Sequence, residues 1–174
     1  IVSATDGSEL VALRETASDE SEVIPAIDRL SKRLRERVGE SLKSLNNTDP
    51  LEQVSTSSLE ALKKYSQAVR LDDSGGDPVL AVQLMEEAIA ADSTFAMAWR
   101  KLSVVVRRAN RPFSESLYAS QKAYDLRDRL SPIERQLAIA NYYSTNESDP
   151  DAVIAAYKAV LEVDSTERTA LNNL

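Results

Sequence analysis

Apolar residues recur at steps of three and four along most of this chain, and Pro25 opens the first such run. Ile27, Leu30, Leu34, Val38, Leu42 and Leu45 form one stripe, which predicts a long amphipathic helix with proline in its first turn. Its other faces carry Arg29, Lys32, Arg33, Arg35, Arg37 and Lys43 among Asp28, Glu36 and Glu40. A basic helix touching an anionic partner is one reading. The interleaved acids favour the other, a solvated face of mixed-sign i,i+4 pairs. Asn46-Asn47-Thr48-Asp49-Pro50 ends the run. Ahead of it, residues 1–15 predict a β-hairpin, with IVSAT and SELVALRE flanking the turn Asp6-Gly7. A lone hairpin is marginal in water, so it is expected to pair with further strands or to pack on the next helix. Residues 16–24 are polar and acidic and read as a loop.

The helical period returns after a short linker. Ser57-x-x-Glu60 has the form of a capping box opening the next helix. Beyond it the chain echoes itself. Asp77-Pro78 and Asp149-Pro150 lie 72 residues apart, as do Asp92-Ser93-Thr94 and Asp164-Ser165-Thr166. Between them, Met85-x-x-Ala88-Ile89 matches Tyr157-x-x-Val160-Leu161. Asp-Pro supplies an N-cap and a first-turn proline, and Asp-Ser-Thr stands where a helix must stop and turn. An echo of this length predicts two units of about 36 residues each, a period typical of stacked helical arrays.

Trp99-x-x-Leu102-Ser103 resembles the first-helix signature of tetratricopeptide repeats. Met85-x-x-Ala88-Ile89, Ala123-Tyr124-x-Leu126 and Tyr157-x-x-Val160-Leu161 resemble the second-helix signature, and Ala170-Leu171-Asn172-Asn173-Leu174 the start of another first helix. Repeats then begin near Leu59, Ala96, Ser131 and Arg168, at spacings of 37, 35 and 37 residues, against a family period of 34. Ser103 stands for the family's small glycine, Glu134 for its large aromatic residue, and Ser93, Asp128 and Ser165 for its turn proline.

The resemblance implies an all-α fold: a right-handed superhelix of antiparallel helix pairs over residues 57–174, about three repeats plus the start of a fourth. The hairpin and the long helix over residues 1–50 precede it. Such pairs bury their apolar faces only by stacking. Leu62, Tyr65, Met85, Ala88, Trp99, Leu102, Ala123, Leu137, Tyr157, Val160 and Leu161 are the expected packing residues. For Trp99 a ligand-stacking role is the weaker alternative, because aromatics at helical spacing usually belong to cores.

Composition narrows the chemistry. Hydrophobic residues make up 43% and charged residues 28% of 174 residues, the profile of one globular domain with or without a small appendage. There is no histidine and no cysteine, which removes the usual general base, the commonest metal ligands and thiolate nucleophiles. None of the four glycines sits in a phosphate-cradling loop. Carboxylate chemistry remains open, but no site constellation is recognisable, so no catalytic residue, metal or cofactor is expected. A net charge of −7 disfavours nucleic acid as a partner, and no apolar run is long enough to span a membrane.

Charge is unevenly divided between the two helix classes. First helices, taken as 59–71, 96–109 and 131–143, total +6, and second helices, taken as 77–92, 113–128 and 149–164, total −8. In the resembled family the first helices line a peptide groove. The positions that match are Lys63, Gln67, Arg70, Arg100, Val104, Arg107, Arg108, Arg135 and Tyr142. An acidic peptide or a C-terminal carboxylate is the partner this implies. Neutralisation between oppositely charged helices, with nothing bound, is the standing alternative. Lys63 and Arg100 do not complete the carboxylate clamp of chaperone-binding members, so chaperone tails are not implied.

AIDRLSKRLRERVGESL and PLEQVSTSSLEALKKYSQA are similar to the segment that precedes such repeats in certain bacterial transmembrane serine/threonine protein kinases and related regulators. That resemblance implies the extracytoplasmic, periplasmic sensor region of a longer signalling protein; a cytoplasmic module is the alternative. Kinase motifs are absent from the sequence. The expected function is therefore a non-catalytic protein–protein interaction or sensor module. An oligomerisation scaffold, and a fragment of an enzyme whose catalytic domain lies elsewhere, stay open.

Overall fold

The structure, a computed structural model, describes residues 5, 12–39, 55–146 and 149–174. The chain divides into two compact units, Ile1–Glu52 and Gln53–Leu174. Among the described residues every regular element is helical, and the helices pack in adjacent pairs.

In the first unit the hairpin turn Asp6-Gly7 lies outside the described residues. Residues 12–17, which include the end of the expected second strand, form neither helix nor strand. Asp19 instead starts a 3-10 turn, accepting a hydrogen bond from the Ser21 amide at 2.9 Å. Helix α1 follows, Val23–Arg37, with Pro25 in its first turn. It is shorter than the apolar stripe predicted. Gly39 adopts φ 89, a left-handed backbone that ends helices and that glycine takes without strain. Leu42 and Leu45 lie outside the described residues.

The stripe itself does not form the buried face. Ile24 and Ala26 are buried, whereas Ile27, Leu34 and Val38 are exposed. Three of the five basic residues of α1 are in ion pairs: Lys32 with Asp28 at 3.2 Å, Arg29 with Glu22 at 3.4 Å and with Glu15 at 3.5 Å, and Arg33 with Glu15. Of these pairs only Lys32–Asp28 has the i,i+4 spacing that the sequence suggested.

The second unit opens with two buried hydroxyl residues, Ser55 and Thr56. Thr56 Oγ1 donates to Asp92 Oδ2 at 2.6 Å and accepts from the Ser58 amide at 3.0 Å. Helix α2, Leu59–Asp73, is capped by Ser58, whose hydroxyl accepts from the Ala61 amide at 3.2 Å. The cap is thus one residue later than the Ser57 expected from sequence, because Thr56 already fixes the preceding turn.

Six further helices follow: α3 Pro78–Ala91, α4 Ala96–Arg108, α5 Phe113–Asp125, α6 Pro132–Asn146, α7 Pro150–Val163 and α8 Arg168–Asn173. The 72-residue echo is visible in the helix caps and, atom for atom, in the Asp-Ser-Thr turns. Asp77 caps α3 through the Val79 amide at 2.8 Å, and Asp149 caps α7 through the Ala152 amide at 2.9 Å. Asp92 Oδ1 accepts from Thr94 N at 2.9 Å and Thr94 Oγ1 at 2.7 Å, and Asp164 Oδ1 accepts from Thr166 at the same two distances. The α5 ending differs: a 3-10 turn at Arg127–Arg129 leads to the buried Leu130.

Helices α2 and α3, α4 and α5, and α6 and α7 form the tightest pairs, and each pair packs on the next through α3–α4 and α5–α6. The alternate helices α2, α4 and α6 also touch one another in turn. One cluster, with Val82, Met85, Ala88, Phe95, Ala98 and Val105 at its centre, joins α2 to α5, and Leu62, Tyr65 and Trp99 pack against it. A second gathers Leu137, Tyr157 and Val160 with Leu161 at its edge. Ala123 is fully buried. Burial on this scale dominates stability, at roughly 1.5–3 kcal/mol for each large apolar side chain.

Ser103 and Glu134, two of the five departures from the repeat signature, both have partners. The buried Ser103 hydroxyl donates to the Arg100 carbonyl at 2.7 Å and accepts from Asn141 Nδ2 at 2.7 Å. Glu134 Oε2 meets Arg100 Nη2 at 2.8 Å.

Candidate functional site

Helical geometry, at about 100° per residue, sets the nine candidate groove residues on one face of each alternate helix. Lys63, Gln67 and Arg70 follow one another at i, i+4 and i+7 on α2. Arg100, Val104, Arg107 and Arg108 share a face of α4, and Arg135 and Tyr142 share one of α6. Lys63, Gln67, Arg70, Arg107 and Arg108 are exposed, whereas Val104, Arg100, Arg135 and Tyr142 are half-buried. Val104, Arg107 and Arg108 come together around a shallow cavity of about 310 Å³.

Electrostatically this face differs from the sequence count. Helix α2 runs through Asp72 and Asp73, so its three bases meet three acids and it is neutral; α4 alone is strongly basic, at +4. Asp72 lies between the two helices with its side chain only 4% exposed, 2.7 Å from Lys101 Nζ and 2.5 Å from Arg108 Nη1. Burial opposes ionisation of this carboxyl, but the hydrogen bonds from Lys101 and Arg108 outweigh it and hold it below the usual aspartate range. Arg100, 17% exposed, is likewise drawn to Glu134 across α4 and α6. Arg135 leans on the Asp128 carbonyl at 3.4 Å.

Neutralisation within the layer therefore accounts for Arg100 and Arg108. It does not reach Arg70 or Arg107, whose side chains have no ion-pair or hydrogen-bond partner among the described residues. Tyr142 stacks on Tyr124 with ring centroids 4.3 Å apart, Tyr143 meets both edge-on, and the Arg127 guanidinium covers Tyr124 at 4.1 Å. Asp72, Lys101, Glu134 and this tyrosine cluster were not anticipated. The sole available signal for Asp72 was the unbroken helical period through residue 73.

A second concavity, of about 360 Å³, lies between α3, α4 and α5. Its floor is apolar and its mouth carries Glu86, Arg111 and Glu115. Trp99 lines it while its Nε1–H donates to the Ser93 carbonyl at 2.8 Å. Among the described residues no group of three or more carboxylates is placed to hold a metal ion, and no helix is long and apolar enough to cross a membrane.

No protein-family model matches the chain, and no curated protein matches it in sequence.

Proposed function

We propose that residues 57–174 form a tetratricopeptide-type protein-interaction module whose alternate helices present a basic face to an acidic peptide segment or a C-terminal carboxylate. The observation that carries this reading is Arg107, which lines a cleft with Val104 and Arg108 and, like Arg70 on α2, is exposed and without an internal counter-charge among the described residues. Guanidinium forks suit carboxylates, and exposed backbone-bearing clefts suit extended peptides. Support for the repeat architecture comes from the helix starts at Leu59, Ala96, Pro132 and Arg168, from pairwise packing, and from contacts between alternate helices. Helices that touch only on one side of a stack curve it, and the touching side is the inner one.

Charge reversal at Arg70→Glu with Arg107→Glu tests the reading without disturbing internal ion pairs. A fluorescent acidic peptide should bind the variant roughly tenfold more weakly, the loss of two exposed ion pairs, and wild-type binding should weaken as salt is raised. Equal affinity for both proteins would refute it.

An oligomerisation scaffold is the second reading, favoured by Leu171 and Leu174, which are exposed on and just after α8. Light scattering separates the two. We further propose, on the similarity of residues 26–42 and 50–68 alone, that the module serves as the regulatory region of a larger bacterial signalling protein of the serine/threonine kinase type.

A further inference from the structure

The cavity between α3, α4 and α5 is a different site. On α4, Trp99, Leu102 and Val106 line it, and at about 100° per residue they fall opposite Arg100, Val104, Arg107 and Arg108. Ile89 from α3 and Tyr118 from α5 complete an apolar floor. Tyr118 is exposed and meets Trp99 edge-on at 5.7 Å between ring centroids. About 360 Å³ lies within the range of small ligand pockets and admits one aromatic side chain.

The mouth has a definite polarity. Arg111 bridges it, with Nη1 at 2.8 Å from Glu86 Oε1 and Nε at 2.7 Å from Glu115 Oε2. Each carboxylate thereby spends one oxygen on Arg111, and the second oxygen of each has no partner among the described residues. Ser114 adds a hydroxyl. Two carboxylates against one guanidinium leave the mouth with one net negative charge and a surplus of acceptors. Lys122, 5.4 Å from the centroid of the Tyr118 ring, is not among the lining residues.

We infer that this cavity is a docking site for an aromatic side chain of a partner peptide, followed by basic residues that engage Glu86 and Glu115 at the rim. The aromatic ring would find edge-to-face neighbours in Trp99 and Tyr118, and the flanking ammonium groups would take the free carboxylate oxygens. This site prefers a cationic sequence, whereas the arginine face on the other side of α4 prefers an anionic one. The two are independent, and loss of one leaves the other intact.

Trp99 is the only tryptophan in the chain, so its emission reports on the cavity directly. The probes are acetyl-Phe-Lys-Lys-amide, acetyl-Ala-Lys-Lys-amide and acetyl-Phe-Glu-Glu-amide, titrated into the full chain. The first should shift and saturate the emission. The alanine probe should bind at least roughly tenfold more weakly, since the buried ring is lost, and the glutamate probe several-fold more weakly. Ser114→Phe, at an exposed position on the rim, should fill the mouth and abolish the response while leaving the melting temperature unchanged. The Arg70→Glu, Arg107→Glu variant should respond like wild type. Emission that ignores the first probe, equal binding of the alanine probe, or an undiminished response in Ser114→Phe would each overturn the assignment. So would light scattering that shows a dimer dissociated by Ser114→Phe, which would give the cavity to a second copy of the chain.

Discussion

Asp72→Asn should move stability and ligand binding in opposite directions, and the structure sets the size of each effect. The carboxylate is 4% exposed and touches two cations, Lys101 at 18% and Arg108 at 56% exposure. The Lys101 contact is desolvated, and a buried hydrogen bond to a charged group contributes about 1.5–3 kcal/mol. Arg108 is mostly in water, so its contact is discounted to the surface-pair level of about 0.2–1 kcal/mol. Asparagine keeps the shape and loses the charge, so the expected destabilisation is about 2–3 kcal/mol. For a chain of this size that lowers the melting temperature by roughly 4–12 °C, read by circular dichroism. The same substitution releases Arg108 and Lys101 on the basic face of α4. An acidic peptide should then bind two- to fivefold more tightly, the value of one or two exposed pairs gained. A double substitution with Lys101→Met should recover part of the stability, because no unpaired ammonium is left behind. If Asp72→Asn melts within a degree of wild type and binds the peptide no better, the internal neutralisation inferred for this face is wrong.

Two further predictions follow from the caps and the titratable groups. Asp77→Ala and Asp149→Ala should each cost about 1 kcal/mol, and in urea denaturation the double variant should lose the sum to within about 0.5 kcal/mol, since the caps share no partner. With no histidine in the chain, the urea midpoint should be flat between about pH 5 and 8. Asp72 and Asp92 are both held below their ordinary range: burial opposes ionisation in each, and hydrogen bonds from Lys101 and Arg108, or from Thr56 and Thr94, outweigh it. Their contribution is complete above the unfolded value near 3.9 and is lost as pH falls through the lower folded value. The midpoint should therefore drop only below about pH 4, and less steeply in Asp72→Asn.

What could be read from sequence was whatever is decided within one turn of helix. Asp77-Pro78 and Asp149-Pro150 start helices because aspartate and proline satisfy the first turn wherever it lies. Asp92 and Asp164 stop them because their side chains reach Thr94 and Thr166 two residues on. What could not be read was set by distant partners. Ending the first helix at residue 71 hid Asp72, whose importance comes from Arg108, 36 positions away. Arg100 counts as a free charge in the sequence, and only the fold brings Glu134 to within 2.8 Å of it. Phe95, fully buried and 5.0 Å from the Tyr65 ring, falls in a turn between two periodic segments, where no periodicity marks it as core. On α1 the apolar stripe misjudged the buried face, since periodicity reports amphipathicity but not which neighbour arrives to cover it.

On the proposed reading of this face, the charge that these internal pairs remove is what would make it selective. Had all four basic residues of α4 stayed free, any polyanion would be attracted regardless of shape, and affinity would follow charge density. With Lys101 and Arg108 answered by Asp72, and Arg100 by Glu134, attraction narrows to Arg107 on α4 and Arg70 on α2. The acidic ligand proposed above would then have to present its carboxylates at the spacing those two side chains permit. Under that proposal the acids of α2 and α6 would trade affinity for discrimination, the balance of a reversible recognition surface.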